Sequence, residues 1–590
     1  MNIGESLTSR RAWPAVWLLA AWLLCNVVQA QTPPPGPLPA PLPAPPRTPS
    51  VVPPPSELAP PLLTPERGAQ LPEPTAVPRE LGKPEDDLRV DVTAYELDPG
   101  APAELRAVLA PLTARYTGPG RSYEDLAAAA AELTRYMQRE LGYYLGYAYL
   151  PEQAPQGGVI RIAVLEGRLD SVALQWRDDI PVDRGLVEAY LARLVPGSVL
   201  KVRDVERVIF LVNDLRGMNA RFELRAGSRP GTATMLVTPA PENRIAGKAE
   251  FDANGAEALG KYRLSGLLQV NSPFGRGDGF TANALVSHTG GLAFALLGYT
   301  TPLGSDGFKA GSSVSLVRYQ LDKDTFPLDL NGNAGTLNLY GLYPVVRSRN
   351  LNLFALASLE HKQYEDRDLN SKSRKSIDTV ALGTTGDFRD SLLGGGVNTF
   401  EASLVSGQVR YPDGRSSALD DDESFTKLTY GATRLQDWIT GRALVYVALR
   451  GQYAKHNLDT TEQFRLGGPD GVRAFAPGQG TGDIGVVATA ELRLLPPDEW
   501  FGRIGREMVF SAFVDAGYVQ FRYRQSGVSA VPNAGANHDV LSGAGFGFTW
   551  VRGDGYSLRA SLAKPLSGSA RGAQDDRSAR LYLQAAKQFN

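Results

Sequence analysis

The chain is nearly devoid of cysteine and histidine. Among 590 residues there is one cysteine, Cys25, and there are four histidines, His288, His361, His456 and His538. The histidines are scattered, with no His-x-x-x-His or Cys-x-x-Cys spacing. Neither a metal centre nor a histidine-based catalytic site is supported, and no cofactor is expected. A Gly-x-Ser-x-Gly nucleophile turn is missing as well. Charge is balanced, 61 basic against 63 acidic residues with a net of −2, which leaves no electrostatic footprint for nucleic acid. Beyond residue 30 no run of 18 apolar residues occurs, so no transmembrane helix follows. If the chain spans a membrane, it does so as a closed barrel.

What is present begins with a targeting pattern. Arg10 and Arg11 precede an apolar run from Trp13 to Cys25, and the segment ends Val28-Gln29-Ala30. That order reads as a signal peptide, residues 1–30, cut after Ala30. Two other readings are weaker. Ser9-Arg10-Arg11 hints at a twin-arginine signal, a route for folded proteins that suits a barrel badly. Cys25 as a lipidation site would follow Leu24, which is too large for the usual lipobox. Without Cys25 the mature chain has no thiol.

Residues 31–85 hold about 20 of the 43 prolines, which rules out helix and sheet interior. This segment reads as an extended or disordered tether of roughly 3 Å per residue. A strand at Leu88–Val92 follows, then helices at Ala103–Leu112 and Tyr123–Leu141, the second opened by Ser122 as N-cap and ended by Gly142. Strands at Tyr144–Leu150 and Val159–Val164 complete a β-α-α-β-β order. The order recurs with a strand at Ser171–Trp176, helices at Gly185–Leu194 and Arg203–Leu215, and strands at Ala220–Leu224 and Thr232–Val237. Two tandem α/β units at 86–166 and 167–241 fit this repetition; one larger α+β domain is the alternative.

From Glu242 to Asn590 period-two alternation takes over. Tyr262, Leu264, Gly266, Leu268 and Val270 form one face, opposed by Lys261, Arg263, Ser265 and Gln269. Leu351–Leu359 and Tyr556–Leu562 repeat the pattern. Apolar-out and polar-in over about ten residues is the membrane-barrel signature, and about 350 residues at roughly 22 per strand and loop give about 16 strands. The fold class is therefore mainly β: a transmembrane antiparallel barrel over 242–590 preceded by two small periplasmic α/β domains. A soluble sandwich or solenoid is disfavoured by the signal peptide and by polar residues on what would be a core face. Charged stretches Gln363–Ser376 and Gln408–Ser424 read as extracellular loops. Asp420-Asp421-Asp422-Glu423 reads as a solvated loop face rather than a calcium site, and Arg276-Gly277-Asp278 as turn chemistry. The C-terminus reads as a closing strand ending on Phe589, an imperfect assembly signal because Asn590 follows.

Two distant segments stand out. Arg465-Leu466-Gly467-Gly468-Pro469-Asp470-Gly471-Val472-Arg473-Ala474-Phe475 is a glycine-rich loop carrying an arginine. Phe513-Val514-Asp515-Ala516-Gly517 is a strand carrying an aspartate. Such a pair can form a charge-assisted bidentate contact that pins the loop inside the barrel. Phe513, Asp515 and Gly517 share one face, and an aspartate cannot face lipid cheaply, so that face is the lumen. A phosphate cradle is disfavoured, since the loop lacks Gly-x-x-x-x-Gly-Lys-Ser/Thr.

Over residues 86–590 the chain resembles the two-partner secretion transporters, outer-membrane exporters of haemolysin- and haemagglutinin-type proteins. These belong to the barrel translocases with polypeptide-transport-associated (POTRA) domains. Leu141-Gly142-Tyr143, Leu150-Pro151-Glu152-Gln153 and Val164-Leu165-Glu166-Gly167 resemble the family's first POTRA pattern. Val212-Asn213-Asp214-Leu215 and Pro230-Gly231 resemble the second. Asn271-Ser272-Pro273, Gly482-Asp483, Gly485 and Glu491-Leu492 resemble its barrel. In that family a sixth extracellular loop, here 464–486, folds inward with a Val-Arg-Gly-Tyr/Phe tip, matched by Val472, Arg473 and Phe475 but not by Ala474. The partner is an inward aspartate in Phe-x-Asp-x-Gly, matched by Phe513, Asp515 and Gly517. A glycine of positive φ at the departing position would make Ala474 strained. A second departure is residues 31–85, too proline-rich for the plug helix that members often carry.

The resemblance implies a translocase, not an enzyme, that secretes a dedicated partner protein captured by the POTRA domains, without ATP. Its transport and loop-lock residues would be Arg473, Asp515, Val472, Phe475, Phe513, Gly517, Gly467 and Gly468. Its other partners would be outer-membrane lipid and the barrel-assembly machinery, and the chain would act as a monomer. The alternatives are a general outer-membrane barrel insertase and a passive porin.

Overall fold

The computed structural model describes residues 51–53, 89–154, 156–324, 329–414, 421–525, 536–568 and 578–589. The expected signal peptide, most of the proline-rich segment and Asn590 lie outside the described residues. Among the described residues, no helix is long and apolar enough to cross a membrane.

The first unit opens with β1 (Arg89–Val92) and β2 (Ala94–Leu97), followed by helices Ala103–Thr113 and Tyr123–Arg139, with β3 (Gly118–Ser122) between them. It closes with β4 (Tyr147–Tyr149) and β5 (Val159–Leu165). Its sheet has the order β2-β5-β4, with β2 parallel to β5. Ser122 caps the second helix reciprocally with Asp125, which satisfies two otherwise orphaned backbone donors. The expected first strand at Leu88–Val92 forms over Arg89–Val92, Leu88 lying outside the described residues, but it does not join this sheet. The segment that joins the sheet is Ala94–Leu97, while Arg89–Val92 pairs with Gly118–Ser122. Gly-Pro-Gly has poor strand propensity, and only the tertiary pairing with β1 makes it a strand.

The second unit holds β6 (Arg168–Leu174), helices Arg184–Leu191 and Val202–Asn213, β7 (Met218–Ala226) and β8 (Thr232–Pro241). Its sheet order, β6-β8-β7 with β6 parallel to β8, repeats that of the first. Val205, Val208, Ile209 and Val212 lie on one stripe of the second helix and are buried against Val187, Met218 and Met235.

Sixteen strands then follow one another around a closed ring. They are β9 (Ile245–Asp252), β10 (Arg263–Asn271), β11 (Gly279–Ser287), β12 (Leu292–Pro302), β13 (Lys309–Gln320), β14 (Asn331–Arg347), β15 (Leu351–Arg367), β16 (Lys372–Asp390), β17 (Gly396–Arg410), β18 (Ser424–Ile439), β19 (Ala443–Ala454), β22 (Ile484–Leu494), β23 (Met508–Gln520), β24 (His538–Val551), β25 (Tyr556–Ser567) and β26 (Arg580–Phe589). Two short strands, β20 (Phe464–Arg465) and β21 (Thr481–Gly482), belong to the loop between β19 and β22. Every neighbouring pair is antiparallel, and β26 closes on β9 with Phe589 opposite Gly247. Closure matters because an open edge in hydrocarbon would leave a row of backbone groups without partners.

The outside of the ring is apolar and exposed: Leu264, Leu316, Leu382, Leu404, Val514 and Leu562 are all uncovered. In water such a surface would be an aggregation hazard, whereas in a bilayer it is the solvated face. The charged stretch Gln363–Ser376, expected as a loop, is instead mostly strand. β15 and β16 have 17 and 19 residues and leave only 368–371 between them. About ten residues span the bilayer, so this hairpin projects beyond it. There Glu365–Lys372 and Arg374–Asp413 pair across strands. The Asp421–Glu423 stretch is likewise no solvated face. Asp421 is buried against Arg522 at 2.9 Å, and Asp422 pairs with Arg524 at 2.7 Å.

The second α/β unit is fastened to the periplasmic rim. Arg347 grips Asp214 with two hydrogen bonds, Nη2 to Oδ1 at 2.8 Å and Nε to Oδ2 at 3.1 Å, and is itself buried. Lys309 Nζ donates to the Asp214 carbonyl at 3.0 Å, and Arg207 donates to the carbonyls of Pro344 and Asp306. The Arg276-Gly277-Asp278 tripeptide sits in this joint. Arg216 N donates to the Gly277 carbonyl, and Asp278 accepts from the Tyr299 hydroxyl. Its aspartate is thus a turn residue, buried and committed.

Substituting Arg347 by alanine leaves the Asp214 carboxylate buried without its main counter-charge, a loss of about 3–5 kcal/mol for such a pair. Amide hydrogen exchange in the 303–308 and 348–350 turns is expected to accelerate in Arg347→Ala while the strands stay protected. Unchanged turn exchange would contradict this account of the joint.

Candidate functional site

The loop from 455 to 483, between β19 and β22, turns into the barrel instead of outward. It is a hairpin. Phe464–Arg465 pairs with Thr481–Gly482, and the ladder continues through Leu466 N to Gly480 O and Gly467 N to Gln479 O, both at 2.9 Å. At its tip Gly468 takes φ +124°, a conformation closed to most side chains. Val472 N then bonds back to Leu466 O at 2.8 Å, and Gly467 and Val472 form a bridge. This backbone path aims Arg473 at the β22–β23 wall.

There the guanidinium is held on several sides. Its Nε and Nη2 each reach an Asp515 oxygen at 2.8 Å, the parallel fork geometry that arginine favours. The Arg473 backbone N–H donates to the same carboxylate at 3.1 Å. Nη1 reaches Glu491 at 3.2 Å, and the cation lies 3.3 Å above the centre of the Phe513 ring. Thr489 Oγ1 donates to Asp515 at 2.9 Å, and Glu491 is shared with Arg493 at 3.0 Å. Asp515 has no exposed side-chain surface. A buried carboxylate with four donors is a satisfied one; without the Arg473 side chain it would keep only the threonine and the backbone N–H of residue 473, and no counter-charge in contact.

An apolar seat surrounds the pair. Leu466, Val472, Ala474 and Phe475 from the loop pack with Phe513, Leu541 and Ala563 from the wall. Gly517 leaves room for Leu466, and Gly543 for Ala474, whose methyl would lie 2.4 Å from a side chain there. The Tyr582 hydroxyl donates to the Phe475 carbonyl at 3.1 Å, so β26 also holds the tip. All eight residues singled out from the sequence therefore lie in or beside this one seat. The strain expected at Ala474 is absent, because its φ is not positive. Thr489, Glu491, Arg493 and Tyr582 were not among the expected site residues, although Glu491 was noted for its resemblance to the family's barrel. The first three alternate along β22 as Asp515 does along β23, and that parity was the available signal.

On one side of the tip the lumen opens into a cavity of about 810 Å³ lined by Arg450, Arg473, Glu491, Arg493, Arg559 and Tyr582. Elsewhere in the lumen lies a piece of the proline-rich segment. Val52 is buried with Leu292, Phe294 and Tyr319, and its carbonyl accepts from Arg465 Nη2. These residues are not simply tether. No group of three or more potential metal ligands occurs among the described residues.

The contact between Ala474 and Gly543 gives a test of the seat that leaves the ion pair untouched. Gly543→Ala should unseat the tip and raise single-channel conductance in planar bilayers. Adding Ala474→Gly should restore the low conductance, a coupling expected only of neighbours. Equal conductance in all three proteins would refute the close approach.

Residues 231–549 match the sequence profile of the haemolysin secretion/activation proteins ShlB/FhaC/HecB, and residues 90–167 match the ShlB-type POTRA domain. The heme/hemopexin transporter protein HuxB of Haemophilus influenzae (strain 86-028NP) is 25% identical over 472 residues, covering 78% of this chain and 81% of that protein. The outer membrane transporter CdiB of Dickeya dadantii (strain 3937) is 27% identical over 439 residues, covering 71% and 74%. Among solved structures, CdiB from Escherichia coli superposes with a TM-score of 0.66 at 21% identity, over 88% of this chain and 94% of the other. BamA from Haemophilus ducreyi, lacking POTRA domains 1–3, superposes at 0.52 and 13% identity, over 85% and 100%. At these identities the two solved structures establish the fold.

Proposed function

We propose a function from one premise: this chain belongs to the haemolysin secretion/activation protein family, ShlB/FhaC/HecB. Members of this family are outer-membrane transporters of two-partner secretion, and so is this chain, with its barrel in the outer membrane and its POTRA region in the periplasm. The finer reading is ours. The exported partner is a single secreted protein of haemolysin, haemagglutinin or adhesin type, captured unfolded by two POTRA domains at 86–166 and 167–241. Capture occurs by strand addition, in which the partner's backbone satisfies a sheet edge. The partner then passes through the polar lumen, and its folding outside biases the passage outward. No ATP and no catalytic chemistry by this chain are involved. The barrel reaches the membrane through the assembly machinery and works as a monomer.

The observation that carries this reading is the fork between Arg473 and Asp515. A polar lumen closed by a loop whose tip is locked by one multidentate ion pair can be opened without unfolding the wall. The eight residues of the seat are the transport residues in this sense: they hold the loop in and let it go. A passive porin would need neither this device nor periplasmic domains fastened to its rim.

Arg473→Ala should leave a folded, heat-modifiable barrel but reduce secretion of the partner by about tenfold or more, and Arg473→Lys should fall between, since lysine keeps the charge and loses the fork. The partner is identified by comparing secreted and outer-membrane proteomes with and without the gene. Loss of one large exported protein supports a dedicated transporter. A general fall in barrel proteins would instead mean an insertase, and normal secretion by well-expressed Arg473→Ala would sink the role given to the fork.

A further inference from the structure

The Arg473 fork secures only the far end of the sixth loop. Its near end, residues 457–463 together with Asp483, is bound to a different arc of wall by buried charges. Asp459 accepts from Lys375 of β16 at 2.7 and 2.8 Å. Glu462 accepts from Lys362 of β15 and Lys427 of β18, each at 2.9 Å. Both acids are almost fully buried, at 2% and 4% exposure. Gln452 of β19 donates to the carbonyls of Glu462 and Asp483 at 3.1 and 3.2 Å. Asp483 in turn accepts from Leu458 N at 3.1 Å, Gln463 Nε2 at 2.8 Å and Tyr523 N at 2.9 Å. Among the described residues, this root and the tip share no charged partner. Between them lies the hairpin ladder, whose hydrogen bonds are internal to the loop and survive if it moves as a body.

The two ends differ in what release would cost. Freeing the tip breaks one forked arginine, the Arg450–Asp470 and Tyr582–Phe475 hydrogen bonds and the apolar seat, all beside a cavity that water can fill. Lifting the root would strand Lys375 and Lys427 in the wall and expose Lys362 to loss of one of its two carboxylates, the other being Glu360 at 2.9 Å. Both ends are buried, but the root would give up three lysine–carboxylate pairs where the tip gives up one arginine, and each buried ion left unpaired adds to the cost. We propose that Lys362, Lys375 and Lys427 form a fixed pivot for the sixth loop: they hold Asp459 and Glu462 in place while the hairpin tip leaves its seat at Asp515. These lysines are positioning residues. The pivot rests on the export reading above, because it assumes that the tip is the end that moves.

The scarcity of thiols makes this measurable. In a Cys25→Ser background, Thr461→Cys reports on the root and Ala474→Cys on the tip; both positions are buried. Maleimide labelling of the folded, purified full-length protein is compared with and without Arg473→Ala. The expected result is labelling at least about tenfold faster at 474, a change worth about 1.4 kcal/mol, with the rate at 461 unchanged. Equal acceleration at both positions would overturn the pivot while leaving the tip's release intact. No acceleration at 474 would overturn the Arg473 anchor itself and the pivot with it. The converse variant, Lys362→Gln with Lys427→Gln, should accelerate 461 in protein that still shows the heat-modifiable mobility of a folded barrel; slow labelling at 461 in such protein would also overturn the pivot.

Discussion

One charged contact organises this molecule: the fork between Arg473 and Asp515. Neither group can stay unpaired where it lies. A carboxylate with no exposed surface in a protein wall must be neutralised or hydrogen-bonded on most of its lone pairs. The Arg473 fork and its backbone N–H supply three of the four donors Asp515 receives. The loop must therefore be inside the barrel for the wall to be satisfied, and the wall must carry Asp515 inward for the loop to stay. The glycines facing Leu466 and Ala474, the cation over Phe513 and the tyrosine on the Phe475 carbonyl refine this seat. They do not create the demand for it.

That demand is met in a setting where polarity is inverted relative to a soluble protein. The barrel exposes leucine and valine outside and keeps charge within. Buried ions are tolerated in the lumen because they come in matched sets and because cavities beside them can admit water. The same logic recurs at the periplasmic rim, where Arg347 and Asp214 join the second α/β unit to the β12–β15 turns. It recurs again where the loop's near end meets three lysines. Three electrostatic joints thus define a closed ring, a docked periplasmic unit and a hairpin held at both ends.

Much of this was legible in the residues. Period-two alternation in Tyr262–Val270 and Tyr556–Leu562 gave the barrel, because a membrane wall leaves no other use for an apolar face without a helix. Strand parity alone places Asp515 in the lumen. Local chemistry gave Ser122 as a cap and the helical stripe of Val205–Val212. The reading failed where distant segments supply the stabilisation. Gly118–Ser122 is a strand only through β1, the Gln363–Ser376 hairpin is extended by cross-strand ion pairs, and Val52 lies in the lumen although its proline-rich surroundings read as tether. At Ala474 the expected strain did not arise, since a residue's φ depends on the whole path of the loop.

The sequence alone determined the class of molecule: a wall of alternating strands with two α/β repeats before it, carrying an inward arginine and an inward aspartate. Those properties are local, set by the period of the backbone and by the cost of placing charge in lipid. Only the tertiary structure decided which lysines meet Asp459 and Glu462, which turns receive Arg207, and that the loop is tethered at two separate arcs of wall. Partner choice over separations of 35 to 137 residues depends on how sixteen strands close into a ring, and closure is a property of the whole sheet.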